Sequence, residues 1–284
     1  VGDTTLAEIR PMLEKTFSTW KQGDVPQKNL ARVAHRSDSV VYLVDKPGAI
    51  QSTILAGQVA VQRSNPDETA IQAMMNVLGG QFTSRINMNL REDKHWSYGA
   101  FAFMPGARGQ RPFIVFAPVQ TDKTKESILE VRKELVNITT SKPITQDELD
   151  KVKNNSILEL PGSWETNNAV LAAISDIVRF ALPADYWAKY PADVKSLDKP
   201  QVDAAAKKVV NAGGLVWVIV GDRAKAAGLE NVALIPCESD RLGGCVVFAD
   251  APSCELNRNL IHLTSLADVA CLVVSFSQPQ HLDE

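Results

Sequence analysis

Leu6, Ile9, Met12, Leu13 and Phe17 recur at helical spacing near the start of the chain. With Asp3 or Thr4 as cap and Glu8 in the first turn, they predict an amphipathic helix. Residues 39–45 and 50–61 read as strands. Asn65-Pro66-Asp67-Glu68 then offers a cap, a first-turn proline and two acids at the positive end of a helix dipole. The stripe Ile71, Met74, Met75, Leu78 follows as core, and Gly79-Gly80 ends it. A second helix spans residues 84–93. Residues 97–104 and 112–119 predict strands, the second apolar on both faces as a central strand is. Helices follow over 122–138, with Ile128, Val131, Leu135 and Ile138 inward, from Thr145 and Glu148 at capping-box spacing, and over 164–181. A short helix over 200–210 leads into a strand at 215–220. Strands cluster with strands and helices with helices. That order predicts an α+β fold, a largely antiparallel sheet with helices packed on one face.

The opening Val1-Gly2-Asp3 returns as Val220-Gly221-Asp222 at the end of the last of these strands. Read as a repeat, the echo makes residues 1–24 the strand end and helix of a preceding homologous domain. Residues 25–37 are then a linker and residues 38–235 a complete domain. Residues 236–284 differ from this body. They hold all four cysteines (Cys237, Cys245, Cys254, Cys271), two of the four histidines and no lysine, and their apolar runs, Val246-Val247-Phe248 and Leu272-Val273-Val274, have no amphipathic partners. An atypical tail, disordered or non-native, is expected there.

Composition narrows the function. The 284 residues carry a formal net charge of −3, without the positive excess that phosphate contacts require, so nucleic acid is not expected as a partner. No apolar run reaches the ~18 residues of a membrane-spanning helix. The cysteine-free body fits an exported bacterial protein, and also a reduced cytosol. GxSxG, the P-loop, GxGxxG, H-x-x-E-H and H-E-x-x-H are all absent, as is any CxxC pair. No metal ligands and no bound cofactor are therefore expected in this chain. His35 falls in the linker and His95 in a turn, where solvated surface is the ordinary role.

One segment carries chemistry, running from Leu78-Gly79-Gly80 through Thr83-Ser84-Arg85 and Leu90-Arg91-Glu92 to Ser97-Tyr98-Gly99. It sets an arginine at a helix end and a tyrosine at the start of the next strand. Both can project from one rim. A guanidinium fork and a phenolic hydroxyl on rigid elements suit a peptide carbonyl or an oxyanion. The plain alternative pairs Arg91 with a neighbouring acid and half-buries Tyr98 in its strand.

This block resembles a segment of the insulinase/pitrilysin-type zinc peptidases, the inverzincins, in which a glycine pair, Ser-Arg, Leu-Arg-Glu and Tyr-Gly recur in that order. Asn65-Pro66-Asp67, Ile144-Thr145 through Leu149, Asp185-Tyr186-Trp187 and Val220-Gly221-Asp222 sit where that family has similar residues, and Val1-Gly2-Asp3 resembles the end of its preceding domain. The resemblance covers residues 1–230. It implies the fold of a mitochondrial processing peptidase-like metallohydrolase domain, in clamshells of repeated α+β domains. One domain there carries H-x-x-E-H and a distal glutamate and holds the zinc that activates water. A related domain holds no metal and supplies an arginine and a tyrosine that close over the substrate. Arg91 and Tyr98, seven residues apart, match that pair as catalytic and substrate-binding residues. The implied function is the non-metal half of a zinc metalloendopeptidase, inactive by itself. The expected partners are a zinc-binding H-x-x-E-H domain or subunit and a peptide substrate. A scaffold or peptide-binding subunit of the same family is the alternative. His95, Trp96 and Ser97 depart from the small residues usual before the tyrosine, and Trp96 could narrow the cleft.

Overall fold

The computed structural model describes residues 1–25, 32–226 and 228 in full, and the backbone of 232–235, 237–239, 245–247 and 261–262. Helix α1 (Leu6–Thr16) is capped at Thr5, not at the expected Asp3 or Thr4, because only Thr5 stands three residues before Glu8. Thr5 accepts from the Glu8 amide at 3.3 Å, and the Glu8 carboxylate accepts from the Thr5 amide at 2.8 Å, a complete capping box. Its apolar stripe is uncovered: α1 buries no residue, and Leu6 and Met12 are exposed.

The body is built on a six-stranded sheet: β1 (Val40–Asp45), β2 (Gln51–Ala60), β3 (Phe101–Phe103), β4 (Arg111–Gln120), β5 (Val216–Gly221) and β6 (Val232–Ile235), in spatial order β3-β4-β2-β5-β1-β6. The ladders β3–β4, β4–β2 and β2–β5 are antiparallel. The ladders β5–β1 and β1–β6 are parallel. The expected largely antiparallel sheet is therefore mixed at one end. There β1 lies beside strands that come after the whole helical layer, so neither pairing is a hairpin.

Helices α2 (Glu68–Met75), α4 (Thr124–Thr139), α5 (Gln146–Leu158) and α8 (Lys199–Val209) contribute to one core with the sheet. Ile71, Met74, Leu78, Val131, Leu135 and Val202 meet Ile54, Ala56, Phe113, Val115, Trp217 and Ile219 there. The alternate residues Leu55, Ile114, Val216 and Val218 are buried on the other face with Val40, Tyr42, Phe103 and Phe116. Strands apolar on both faces are those of a sheet interior.

Four details depart from the sequence reading. The helix begun at Glu68 continues past Met75 as a π-helical turn over Asn76–Gly80, and α3 (Arg85–Asn87) continues as another over Met88–Asp93. Helix α7 (Tyr186–Ser196) was not foreseen, because Pro191 inside it removes an amide donor and argues against a helix. Strand β3 is confined to Phe101–Phe103. The described end of the expected linker is docked: Val33 exchanges hydrogen bonds of 2.7 and 2.9 Å with the Gln110 side chain. In the 236–284 segment, β7 (Cys237–Ser239), β8 (Cys245–Val247) and β9 (Ile261–His262) form a separate antiparallel sheet. The remainder of that segment, Leu272-Val273-Val274 included, lies outside the described residues, so the reading of it as an atypical tail does too.

Gly79 shows how closely α2's extension meets the edge strand. A Cβ at this position would lie 2.3 Å from the Ala102 amide nitrogen and 2.4 Å from its Cβ. Both partners are fixed, so Gly79→Ala is expected to cost about 1–3 kcal/mol. Thermal unfolding should register it as a drop of several degrees, at about 2–4 °C per kcal/mol.

Helix α2 is tied to β4 by a buried charge cluster. Glu68 accepts from Arg63 at 2.5 Å and from Arg111, and from the Asn65 amide at 2.8 Å. All three charged residues are at least nine-tenths buried. Arg63 also donates to the Tyr186 hydroxyl at 3.1 Å, which fixes α7 to the same centre.

Candidate functional site

The segment between α3 and β3 is held by buried amides and hydroxyls. Asn87, with no exposed surface, accepts from the Ala100 amide at 3.0 Å and donates to the Phe82 carbonyl at 2.6 Å. One side chain thus joins the loop before α3 to the approach to β3. The Ser97 hydroxyl donates to the Pro118 carbonyl at 2.5 Å and accepts from the Gly99 amide at 3.1 Å. The Trp96 amide donates to the Leu90 carbonyl, and the Gln120 amide to the Trp96 carbonyl, both at 2.9 Å. Trp96 itself is partly buried and packs against the core. The reversal from helix to strand takes place at His95, whose φ of 57° is left-handed. That conformation is unusual outside glycine and marks an over-determined turn. The His95 Nδ1 lies 3.2 Å from the Arg91 carbonyl oxygen.

Tyr98 stands on this pinned segment with 87% of its surface exposed. It is not the half-buried strand residue of the plain alternative, nor does it begin a strand, because pairing with β4 starts only at Phe101. Its hydroxyl makes no hydrogen bond among the described residues. Arg91 lies in the last part of the π-helical turn, half-exposed. Its guanidinium carbon is 4.5 Å from the Phe82 ring centroid, a cation–π stack, and Nε is 3.2 Å from a Glu92 carboxylate oxygen. The neighbouring-acid pairing is thus present, at a solvent-exposed position where such a pair contributes little. No hydrogen bond joins Arg91 to Tyr98 among the described residues. Phe82, itself exposed, was missed by the sequence reading. Its signal was an apolar residue directly after Gly79-Gly80-Gln81, with no helical or strand period to bury it.

Arg85, the arginine of the Ser-Arg pair, is structural. It grips Glu148 at 2.7 and 2.6 Å and the Lys142 carbonyl at 2.6 Å, locking α3 to the start of α5. Burial pushes the Glu148 pKa up. Hydrogen bonds from Arg85 and Thr145 and the guanidinium charge outweigh it, leaving the carboxyl below its ordinary value of 4.5. A lowered folded-state pKa means that the pair's stabilisation is present in full above that ordinary value. It is lost as pH falls through the lowered one. Glu148→Gln is expected to lower the melting temperature at neutral pH. The gap to the parent should close as pH drops below about 4. Thermal unfolding across pH checks this.

Among the described residues, no group of three or more His, Cys, Asp or Glu side chains is placed to hold a metal ion. No helix of the described residues is long and apolar enough to cross a membrane.

Comparison with known proteins bears on the family and the fold. A search of curated proteins finds no match. Among solved structures, the chain is similar to the peptidase M16 inactive domain from Pseudomonas fluorescens, at 22% identity and a TM-score of 0.70, over 78% of this chain and 52% of that one. It is also similar to a protease from Helicobacter pylori, at 18% identity and a TM-score of 0.67, over 78% and 54%. The periplasmic protease PqqL from Escherichia coli matches at 13% identity and a TM-score of 0.61, over 78% of this chain and 25% of that one. At these identities the likeness is one of fold, and the chain spans about half the length of the first two. The family model described as the peptidase M16 inactive domain matches residues 1–156, more than half of the chain and the whole of the Arg91–Tyr98 segment. The chain therefore belongs to the M16 zinc-protease family, in the inactive domain that these peptidases carry beside their metal-binding one.

Proposed function

We propose that this chain is the substrate-gripping half of a zinc endopeptidase, with Arg91 and Tyr98 as the residues that touch the peptide. One observation carries the reading: Tyr98 is largely presented to solvent on a backbone segment that is pinned on both sides by hydrogen bonds, Ser97 to Pro118 and Ala100 to Asn87. A hydroxyl that the described residues leave unused, on a backbone so constrained, is preorganised to meet an acceptor brought from outside. Arg91 has its plane set by the Phe82 stack while its Nη groups remain for a carbonyl oxygen. Both donors suit a peptide carbonyl as negative charge builds on it. Backbone atoms are what they grip, so sequence preference comes from elsewhere in the enclosing cavity. The zinc of the family is assigned to a partner domain or subunit with the H-x-x-E-H motif. The uncovered stripe of α1 suits packing against that homologous half, so residues 1–24 are read as belonging to it.

Reconstitution tests the proposal. The purified chain should cleave no peptide, and a mixture with its cognate H-x-x-E-H domain should. Cleavage by this chain with no partner, or a zinc domain equally active without it, would refute the assignment.

A further inference from the structure

The charge cluster at Glu68 opens onto a cavity of about 550 Å3, lined by Arg63, Glu68, Gln72, Arg111, Asp176 and Arg179, with Met75, Phe103, Met104 and Phe180 among its apolar walls. Its charges do not balance. Arg63 and Arg111 are both buried, and both bind the single carboxylate of Glu68. The acceptors that satisfy their remaining donors are neutral. Arg63 meets the Tyr186 hydroxyl, and Arg111 Nε meets the Val61 carbonyl at 2.9 Å. Arg111 Nη1 has no partner among the described residues. Arg179 enters from the C-terminal turn of helix α6 (Asn167–Phe180), with no carboxylate within ion-pair distance among the described residues. Asp176, on the same helix, is the one other acid lining the space. Three guanidiniums thus face two carboxylates. The helix end does not oppose an anion either, because the Val178 and Arg179 carbonyls already accept from Arg108.

We propose that this cavity binds a carboxylate carried on an apolar group, the chemistry of a free peptide C-terminus ending in an apolar residue. The guanidinium excess supplies the charge-assisted hydrogen bonds, and planar forks match a carboxylate. The methionine and phenylalanine walls take the apolar part. The site is separate from Arg91 and Tyr98, which do not line the cavity, and it does not depend on the peptidase reading.

The test titrates the full chain with N-acetyl-leucine and with N-acetyl-leucinamide by calorimetry at constant ionic strength. The acid should bind and the amide should be at least about tenfold weaker, because it lacks the charge. Arg179→Ala, at an exposed position, should weaken the acid by about tenfold with the melting temperature unchanged. Met104→Ala should weaken it too, since the apolar wall is shortened. Equal binding of acid and amide would overturn the proposal, as would acid affinity unchanged in Arg179→Ala. Inorganic phosphate that binds as tightly as the acid would also overturn it, because then the apolar group contributes nothing.

Discussion

Tyr98→Phe is expected to lower peptide hydrolysis by the reconstituted enzyme roughly a hundredfold, and to leave the melting temperature where it was. The substitution removes one hydroxyl and keeps the ring. That hydroxyl makes no hydrogen bond among the described residues, and the residue is exposed, so no packing is lost with it. Arg91→Ala should lower activity on the same scale. Its stability cost is limited to the Phe82 stack and the exposed contact with Glu92, about 1 kcal/mol in all. The double variant should lose less than the product of the two if both donors meet one carbonyl, since groups acting as a unit are not additive. Activity and thermal unfolding measured side by side decide the matter. A Tyr98→Phe protein that melts early in proportion to its lost activity would make the tyrosine structural and remove it from the proposed site.

Glu68→Ala should have the largest effect on stability of any single change considered. It removes the carboxylate from between two arginines that stay buried. Breaking such a centre costs about 3–5 kcal/mol, because an unpaired charge is left in the interior. In a domain of this size that is a fall on the order of 10 °C. Arg111→Met makes the informative comparison. It leaves one guanidinium on one carboxylate and fills the space with an apolar chain, so its loss should be clearly smaller. Equal losses in the two variants would mean that shape, not charge, holds α2 to β4.

The α2 region shows how far local pattern reaches. Asn65-Pro66-Asp67-Glu68 announced a helix start, and Ile71, Met74 and Leu78 its buried face, and the structure has both. Glu68 was read there as an acid at a helix dipole. Its partners lie five residues before it and on β4, 43 positions later, so the buried cluster had no trace in local spacing. The Leu90-Arg91-Glu92 and Ser97-Tyr98-Gly99 pieces were read as a rim motif. What keeps Tyr98 outside a strand was not legible. It rests on Asn87 reaching Ala100 and Ser97 reaching Pro118, contacts between elements that no periodicity encodes. The π-helical turns over Asn76–Gly80 and Met88–Asp93 and the Pro191-bearing helix α7 were invisible for the same reason.

Sequence by itself determined the class of fold, the inward stripes of α2 and α4, the cap at Thr145, and the absence of a zinc motif. Each of these follows from spacing within a dozen residues, where backbone geometry translates directly into faces and ends. Tertiary structure decided the mixed order of the sheet, the joining of Arg63, Glu68 and Arg111, the exposure of Tyr98 and the stacking of Arg91 on Phe82. Those depend on which distant segments share a ladder or a cavity. Burial energy is indifferent to sequence separation, so the choice is made by the packing of the whole molecule.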